Sequence, residues 1–180
     1  MEEIIKQFTS KLSSYDIFNN FYPGILFCYF SKIILNINIL TDNWFENLFL
    51  FYFIGMIISR IGSLIIEPII KSIKFKKKKL VTFAPYKDYI NACRKDSTIS
   101  ILSETNNTYR TLLSCFISIF FLKVFLVINE LLIKKGFFFI DENKDWLVLI
   151  LLIAIFICSY IKQISYVRKR VENVLNQNDN

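Results

Sequence analysis

Long runs of apolar residues recur four times along this chain of 180 residues. Each run approaches the roughly 20 residues that an α-helix needs to cross a hydrocarbon layer about 30 Å thick. Helices are expected because lipid offers no partners for backbone N–H and C=O groups. The sequence therefore predicts an all-α integral membrane protein with four transmembrane helices, near residues 21–40, 46–70, 110–133 and 146–167.

Composition alone is weaker evidence than this segregation. Hydrophobic residues make up 54% of the chain, which is more than the surface of a small soluble domain can cover. An AT-rich genome could account for the many Ile, Lys, Asn and Phe residues. It would not gather the apolar ones into four runs, so the pattern indicates a membrane protein.

Basic residues are concentrated between the second and third runs and again at the C-terminus. The positive-inside rule places these regions, and both termini, in the cytoplasm. We therefore expect a multi-pass membrane protein whose basic regions lie on the cytoplasmic side. The predicted organisation is an amphipathic helix at 1–19, transmembrane helices 1 and 2 within 20–70, a basic cytoplasmic region at 71–109, transmembrane helices 3 and 4 within 110–167, and a cytoplasmic tail at 168–180.

Two segments outside the spans also have helical patterns. In the basic region, Tyr86 to Lys95 reads as a helix after Pro85, and a second helix starts near Asp96 or Ser97 and continues into the third span. At the N-terminus, residues 1–19 have apolar positions at helical spacing. This segment is either an interfacial helix on the cytoplasmic face or a short helix that caps the protein itself.

Several classes of chemistry are excluded or disfavoured. The chain has no His, which removes His-based acid–base catalysis, His metal ligands and Ser-His-Asp triads. It has no phosphate-binding loop and no GxGxxG, and its four Cys residues form no CxxC pair. We therefore expect neither an enzyme nor a protein that binds a metal or a cofactor.

Ionisable residues inside apolar runs are costly in lipid and usually face water or other protein groups. Arg60 and Glu67 are seven residues apart and share a helix face, and Lys123 and Glu130 repeat that spacing. One interpretation is that they line a hydrated pathway or form a charged network between subunits. The other is that their side chains extend to the membrane–water interface and form structural ion pairs. Arg60 is the residue that the second interpretation explains least well. The predicted intramembrane charges are Lys32, Arg60, Glu67, Lys123 and Glu130.

Small residues form a ridge on the second span that would let two helices approach closely. The ridge consists of Gly55, Ser59, Gly62 and Ser63. It serves packing within one chain or between copies, and Arg60 on the same helix favours the second use. Since four helices rarely enclose a water-filled pore, conduction would require a homo-oligomer, and a tetramer is our expectation.

The lysine run between the second and third spans has two readings. One is an anchor on anionic membrane lipid, at about 1 kcal/mol per Lys. The other is a surface that binds the phosphates of a nucleotide or nucleic acid, with nearby tyrosines available to stack on bases. The candidate ligand-binding residues are Lys74, Lys76, Lys77, Lys78, Lys79, Arg94, Lys95 and Arg110.

Three segments, RIGSLIIEPIIK (60–71), PYKDYINACRKD (85–96) and LSETNNTYRT (102–111), resemble small bacterial membrane effectors of anti-phage defence. These effectors, of the Hailong type, accompany nucleotidyltransferases, and the resemblance covers residues 50–115. It implies an oligomeric ion channel in the bacterial inner membrane, gated by a short DNA oligomer that the partner enzyme makes, with the ligand on the cytoplasmic part. A cation-conducting pore would require Lys32, Arg60 and Lys123 to be paired or turned away. The alternative function is a non-conducting membrane anchor or adaptor for a soluble nucleotidyltransferase or nuclease.

Overall fold

The computed structural model describes residues 13–75, 78–79 and 81–178, and most of them are helical. The helices of this part are α1 (residues 14–35), α2 (Trp44–Ser72), α3 (Tyr86–Lys95), α4 (Thr98–Lys134), α5 (Phe139–Glu142) and α6 (Lys144–Asn178). Between α2 and α3, Lys74–Phe75 (β1) pairs antiparallel with Lys78–Lys79 (β2). Three five-residue turns are π-helical: Ile17–Phe21 and Ser31–Leu35 in α1, and Gly62–Ile66 in α2.

Three helices are long and apolar enough to cross a membrane, namely α2, α4 and the Lys144–Leu175 part of α6. The chain is therefore a multi-pass α-helical membrane protein. α4 is about 55 Å long at roughly 1.5 Å per residue, so it extends well beyond a hydrocarbon layer. The predicted helix at Tyr86–Lys95 is confirmed, and so is the prediction that a helix starting near residue 97 continues without a break into the third span.

The first predicted span, 21–40, differs from the structure at both ends. α1 begins at Ser14, where Ser13 and Asp16 form a reciprocal capping box. It ends at Leu35 because Asn36 adopts a left-handed conformation with φ 58°. The helix also runs through the predicted boundary between residues 19 and 20. Residues 1–12, most of the predicted amphipathic helix, lie outside the described residues.

The four long helices α1, α2, α4 and α6 alternate in direction along the chain. α1 and α2 run in opposite directions, whereas α1 and α4 run in parallel, as do α2 and α6. The residue pairs that define these directions are Asn20 with Gly55, Gly24 with Phe51, Asn19 with Thr111, Pro23 with Cys115, Phe53 with Phe156 and Ser63 with Lys162. The end of α2, the start of α4 and the end of α6 therefore meet at one end, which we call the basic end.

Glycines allow α1 and α2 to pack with their backbones in contact. A Cβ atom built on Gly55 would lie 1.6 Å from the carbonyl oxygen of Asn20, and one on Gly24 would lie 1.8 Å from that of Phe51. Any larger residue would force the helices apart. In contrast, large apolar side chains of α4 and α6 point outward, such as Phe121 at 63% exposure. Those faces are suited to lipid or to further copies of the chain.

Candidate functional site

Glu67 is the centre of a charged cluster at the basic end. Its carboxylate accepts a hydrogen bond from the Lys71 ammonium at 2.5 Å and from the Arg110 guanidinium at 2.8 Å. Lys71 lies one helical turn further along α2, and Arg110 comes from α4 across the helix interface. The carboxylate side chain is only 12% exposed. The bond to Arg110 therefore ties the end of α2 to α4, while the bond to Lys71 lies within α2.

A cavity of about 270 Å³ opens beside this cluster. We call it the basic-end cavity. Lys71 and Phe83 both line this cavity, and the Lys71 ammonium lies 4.0 Å from the centre of the Phe83 ring. The lining combines cations, aromatic rings and side-chain amides. It includes Lys71, Phe83, Tyr86, Tyr89, Asn106, Asn107, Arg110 and Tyr166.

This lining offers three kinds of contact to a ligand. The cations can pair with phosphate, the aromatic faces can stack on bases, and the amides of Asn106 and Asn107 can hydrogen-bond to base edges. A hydrogen bond with Ser103 lowers the pKa of Tyr89, but burial and the neighbouring Cys93 outweigh it, so that the pKa of this phenol lies above its ordinary value. Tyr89 is therefore an uncharged hydroxyl at neutral pH.

Arg60 and a residue that the sequence analysis missed, Lys162, line a second and much smaller cavity between α2 and α6. The Lys162 ammonium donates hydrogen bonds to the carbonyl oxygen of Ser63 at 2.6 Å and to its hydroxyl at 2.7 Å. Arg60 is half-buried, and none of the described carboxylates forms an ion pair with it. Positive charge is therefore in excess at this level of the bundle.

The other predicted intramembrane charges lie apart from this region. Lys123 donates to the carbonyl oxygen of Ile34 at 3.1 Å, which satisfies one of the free carbonyl groups at the end of α1. Glu130 pairs with Lys134 on an exposed face. Lys32 is exposed in the last turn of α1. The five residues predicted as one set thus occupy at least three separate places.

The small-residue ridge contacts other helices of the same chain. Gly55 meets α1, and Gly62 lies against Ser114 of α4. The Ser59 hydroxyl accepts a hydrogen bond at 2.9 Å from the side-chain amide of Asn19, and the Oδ1 atom of the same amide accepts one at 2.8 Å from the Thr111 hydroxyl. With Ser63 bound to α6, all four ridge residues are used within one protomer. A contact between subunits would have to form on other surfaces.

Among those predicted ligand-binding residues that the structure describes, only Arg110 reaches the basic-end cavity. Lys74, Lys78 and Lys79 are exposed on the short β1–β2 ladder, in which Lys74 stands directly opposite Lys79. Like charges in that position repel, and a bound anion would relieve the repulsion. Arg94 and Lys95 are exposed at the end of α3, and Lys76 and Lys77 lie outside the described residues.

Several residues of these sites escaped the sequence analysis. Lys162 carries the same signal as Lys123, a cation inside an apolar run, and that criterion would have found it. Asn19 and Thr111 carry no such signal, because a polar residue near the end of a helix is ordinary. Asn106 and Asn107 could not be recognised as site residues from the sequence, because what marks them is the cavity that they line.

No protein-family model, curated protein or solved structure matches this chain, so its function has to be inferred from its own cavities and charges.

Proposed function

We propose that this chain is a subunit of a homo-oligomeric ion channel, gated by an anionic nucleotide or oligonucleotide that binds at the basic end. In this proposal α1, α2, α4 and α6 are four spans, and the basic end and both termini face the bacterial cytoplasm. α1 is about 33 Å long at roughly 1.5 Å per residue, enough for a crossing. The alternating helix directions support this topology.

The observation that carries the proposal is the position of Glu67. This carboxylate lines the basic-end cavity and at the same time holds Arg110 and Lys71. A ligand phosphate entering the cavity would compete with Glu67 for the same two cations. Ligand binding would thereby change the restraint between α2 and α4. Such a ligand shifts a closed-to-open equilibrium only if it binds the two states with different affinity, and this competition is a source of that difference.

The conducting path in this proposal lies between copies of the chain. Within one protomer, backbone contact at Gly24 and Gly55 and the hydrogen bonds of Asn19 fill the space between α1, α2 and α4. The outward faces of α4 and α6 are left for neighbours or lipid. We expect four copies, which native mass spectrometry of the detergent-solubilised protein would measure.

The test is ion flux from liposomes that contain the purified protein, with and without short synthetic DNA oligomers. We expect flux that depends on the oligomer, and we expect Arg110→Gln to weaken that dependence. Lys134→Gln, an exposed cation at the other end of α4, is the matched control and should behave as the wild type. Vesicles that stay tight with every oligomer and in its absence would contradict the channel.

A second function is a non-conducting membrane adaptor for a soluble nucleotidyltransferase or nuclease. The exposed cations of the β1–β2 ladder and of α3 favour it, because they lie on an open surface rather than in a cavity. Co-purification of such an enzyme with this chain, together with tight vesicles, would favour the adaptor over the channel. The resemblance to defence effectors predicts that a gene for that enzyme lies nearby in either case.

A further inference from the structure

Positive charge is not balanced where α2 and α6 meet. Three cations, Arg60, Lys71 and Arg110, lie close enough to repel Lys162, and one carboxylate, Glu67, attracts it. Glu67 is already bound to Lys71 and Arg110. Arg60 and Lys162 form no direct ion pair with a described carboxylate, although Glu67 attracts Lys162 electrostatically, so they carry excess positive charge inside a membrane-spanning bundle. Positive charge that exceeds the negative charge around it is costly away from water.

The small cavity next to these two cations is lined mainly by polar side chains, most of which can donate hydrogen bonds; the Ser159 hydroxyl already donates its proton to the carbonyl oxygen of Ile155. It measures about 20 Å³, and a site of roughly 10–15 Å³ on this measure already holds one water-sized occupant. No carboxylate stands in its described lining. The polar residues around it are Arg60, Ser63, Ser159, Lys162, Gln163 and Tyr166.

We propose that this cavity binds one small monovalent anion of halide size, such as chloride. Arg60 and Lys162 supply the charge, and two of the three ammonium protons of Lys162 are used by Ser63, which leaves the third for the anion. The Tyr166 hydroxyl and the Gln163 amide are further donors. A phosphate group is too large for this volume, a metal cation is repelled, and a water molecule would leave the charge uncompensated.

The role of such an anion is to hold α2 against α6. It would bridge a residue of each helix at the level where Gly62–Ile66 of α2 departs from regular α-helical geometry. The inference does not depend on conduction or on a nucleotide ligand. It is tested by whether halide binds to the purified protein in detergent.

The test is the melting temperature of the purified protein in chloride, bromide or gluconate at one ionic strength and pH. A bound halide should raise the melting temperature with a saturable dependence, by roughly 2–4 °C. Arg60→Gln and Lys162→Gln should lose the dependence, and Arg60→Lys should keep it. Lys169→Gln, an exposed cation further along α6, is the control and should also keep it.

A second measurement needs no variant. The ³⁵Cl NMR line of chloride should broaden in the presence of the wild-type protein, and bromide should reverse the broadening by competition. Equal melting temperatures in halide and gluconate, or a halide dependence that persists in Arg60→Gln, would overturn the proposal. An absence of reversible broadening would do the same if the variants fail to fold.

Discussion

Lys162 of α6 supplies a hydrogen bond that the backbone of α2 cannot give to Ser63. In the π-helical turn Gly62–Ile66, the amide of Glu67 bonds to the carbonyl oxygen of Gly62, five residues earlier. In the same five-residue register, the carbonyl oxygen of Ser63 would accept a hydrogen bond from the amide of residue 68, but residue 68 is proline and has no N–H. The Lys162 ammonium occupies this position at 2.6 Å. The missing N–H of Pro68 in α2 thus explains why a cation, Lys162, stands in the apolar run of α6.

This relationship predicts that Lys162 and Pro68 are energetically coupled. Lys162→Met should lower the free energy of unfolding by roughly 1–2 kcal/mol, since it leaves a carbonyl group without a partner. Pro68→Ala restores an N–H, so in that background the loss should shrink by about 1 kcal/mol. Unfolding in detergent measures both values. Lys169→Met is the control, with a change near zero, and equal losses in both backgrounds would contradict the coupling.

Glu67 and Glu130 allow a matched comparison, because each pairs with a Lys four residues later. Glu67 is 12% exposed and also holds Arg110, whereas Glu130 is 68% exposed. Glu67→Gln should lower the free energy of unfolding by roughly 1–3 kcal/mol, since it leaves partly buried cations unpaired. Glu130→Gln should leave the free energy of unfolding nearly unchanged, because exposed ion pairs contribute little. Equal effects of the two substitutions on the melting temperature would contradict this assignment.

Gly55 should tolerate no side chain. Gly55→Ala places a methyl group against the Asn20 carbonyl oxygen, and the two helices have to separate, at a cost of about 3 kcal/mol or more. Gly62→Ala is the milder control, because its Cβ would lie 3.3 Å from that of Ser114. We expect Gly55→Ala to lose most of its monodisperse, folded protein in size-exclusion chromatography. Recovery equal to that of Gly62→Ala would mean that α1 and α2 are not in contact at this point.

The helices of this fold could be predicted from local patterns, and their ends only in part. α2, α4 and α6 follow from long apolar runs, and α3 from the proline before it and the spacing of its residues. The end of α1 could not be predicted, because apolar residues continue to Leu40 while the left-handed backbone of Asn36 stops the helix. Asn tolerates that conformation, but nothing in the sequence required it here.

The partners of the intramembrane charges were harder to predict than their positions. Spacing of seven suggested that Arg60 and Glu67 belong together, yet Glu67 pairs with the Lys four residues later, as residues one turn apart on a helix do. That pair could have been read from the sequence. The bond between Lys162 and Ser63 could not, because it joins positions 99 residues apart and depends on how the helices pack.

The start of α4 should respond to acid. The Asp96 carboxylate accepts the Thr98 N–H at 2.8 Å, and hydrogen bonds from the side chain and backbone of Thr98 hold the pKa of Asp96 below its ordinary value of 3.8. A depressed pKa means that this cap stabilises the fold above about pH 4 and is lost as the pH falls through the folded value. Thr98→Val should move the pKa back toward 3.8 in an NMR titration of the carboxyl carbon. Thr108→Val is the control, and a pKa that is the same in both variants would contradict the cap.

The ladder lysines and the basic-end cavity should contribute differently to oligonucleotide binding. Each phosphate contact adds about 0.7 to the slope of log affinity against log salt for a single strand. Replacing Lys78 and Lys79 by Gln should therefore flatten the slope by up to about 1.4 if both touch phosphate. Arg110→Gln should weaken binding of even a single nucleotide, because that residue lines the cavity. Fluorescence anisotropy of a labelled DNA oligomer in a salt series measures both effects. An unchanged slope for the double variant would assign the ladder lysines to anionic lipid, and unchanged nucleotide binding by Arg110→Gln would remove the cavity from the ligand site.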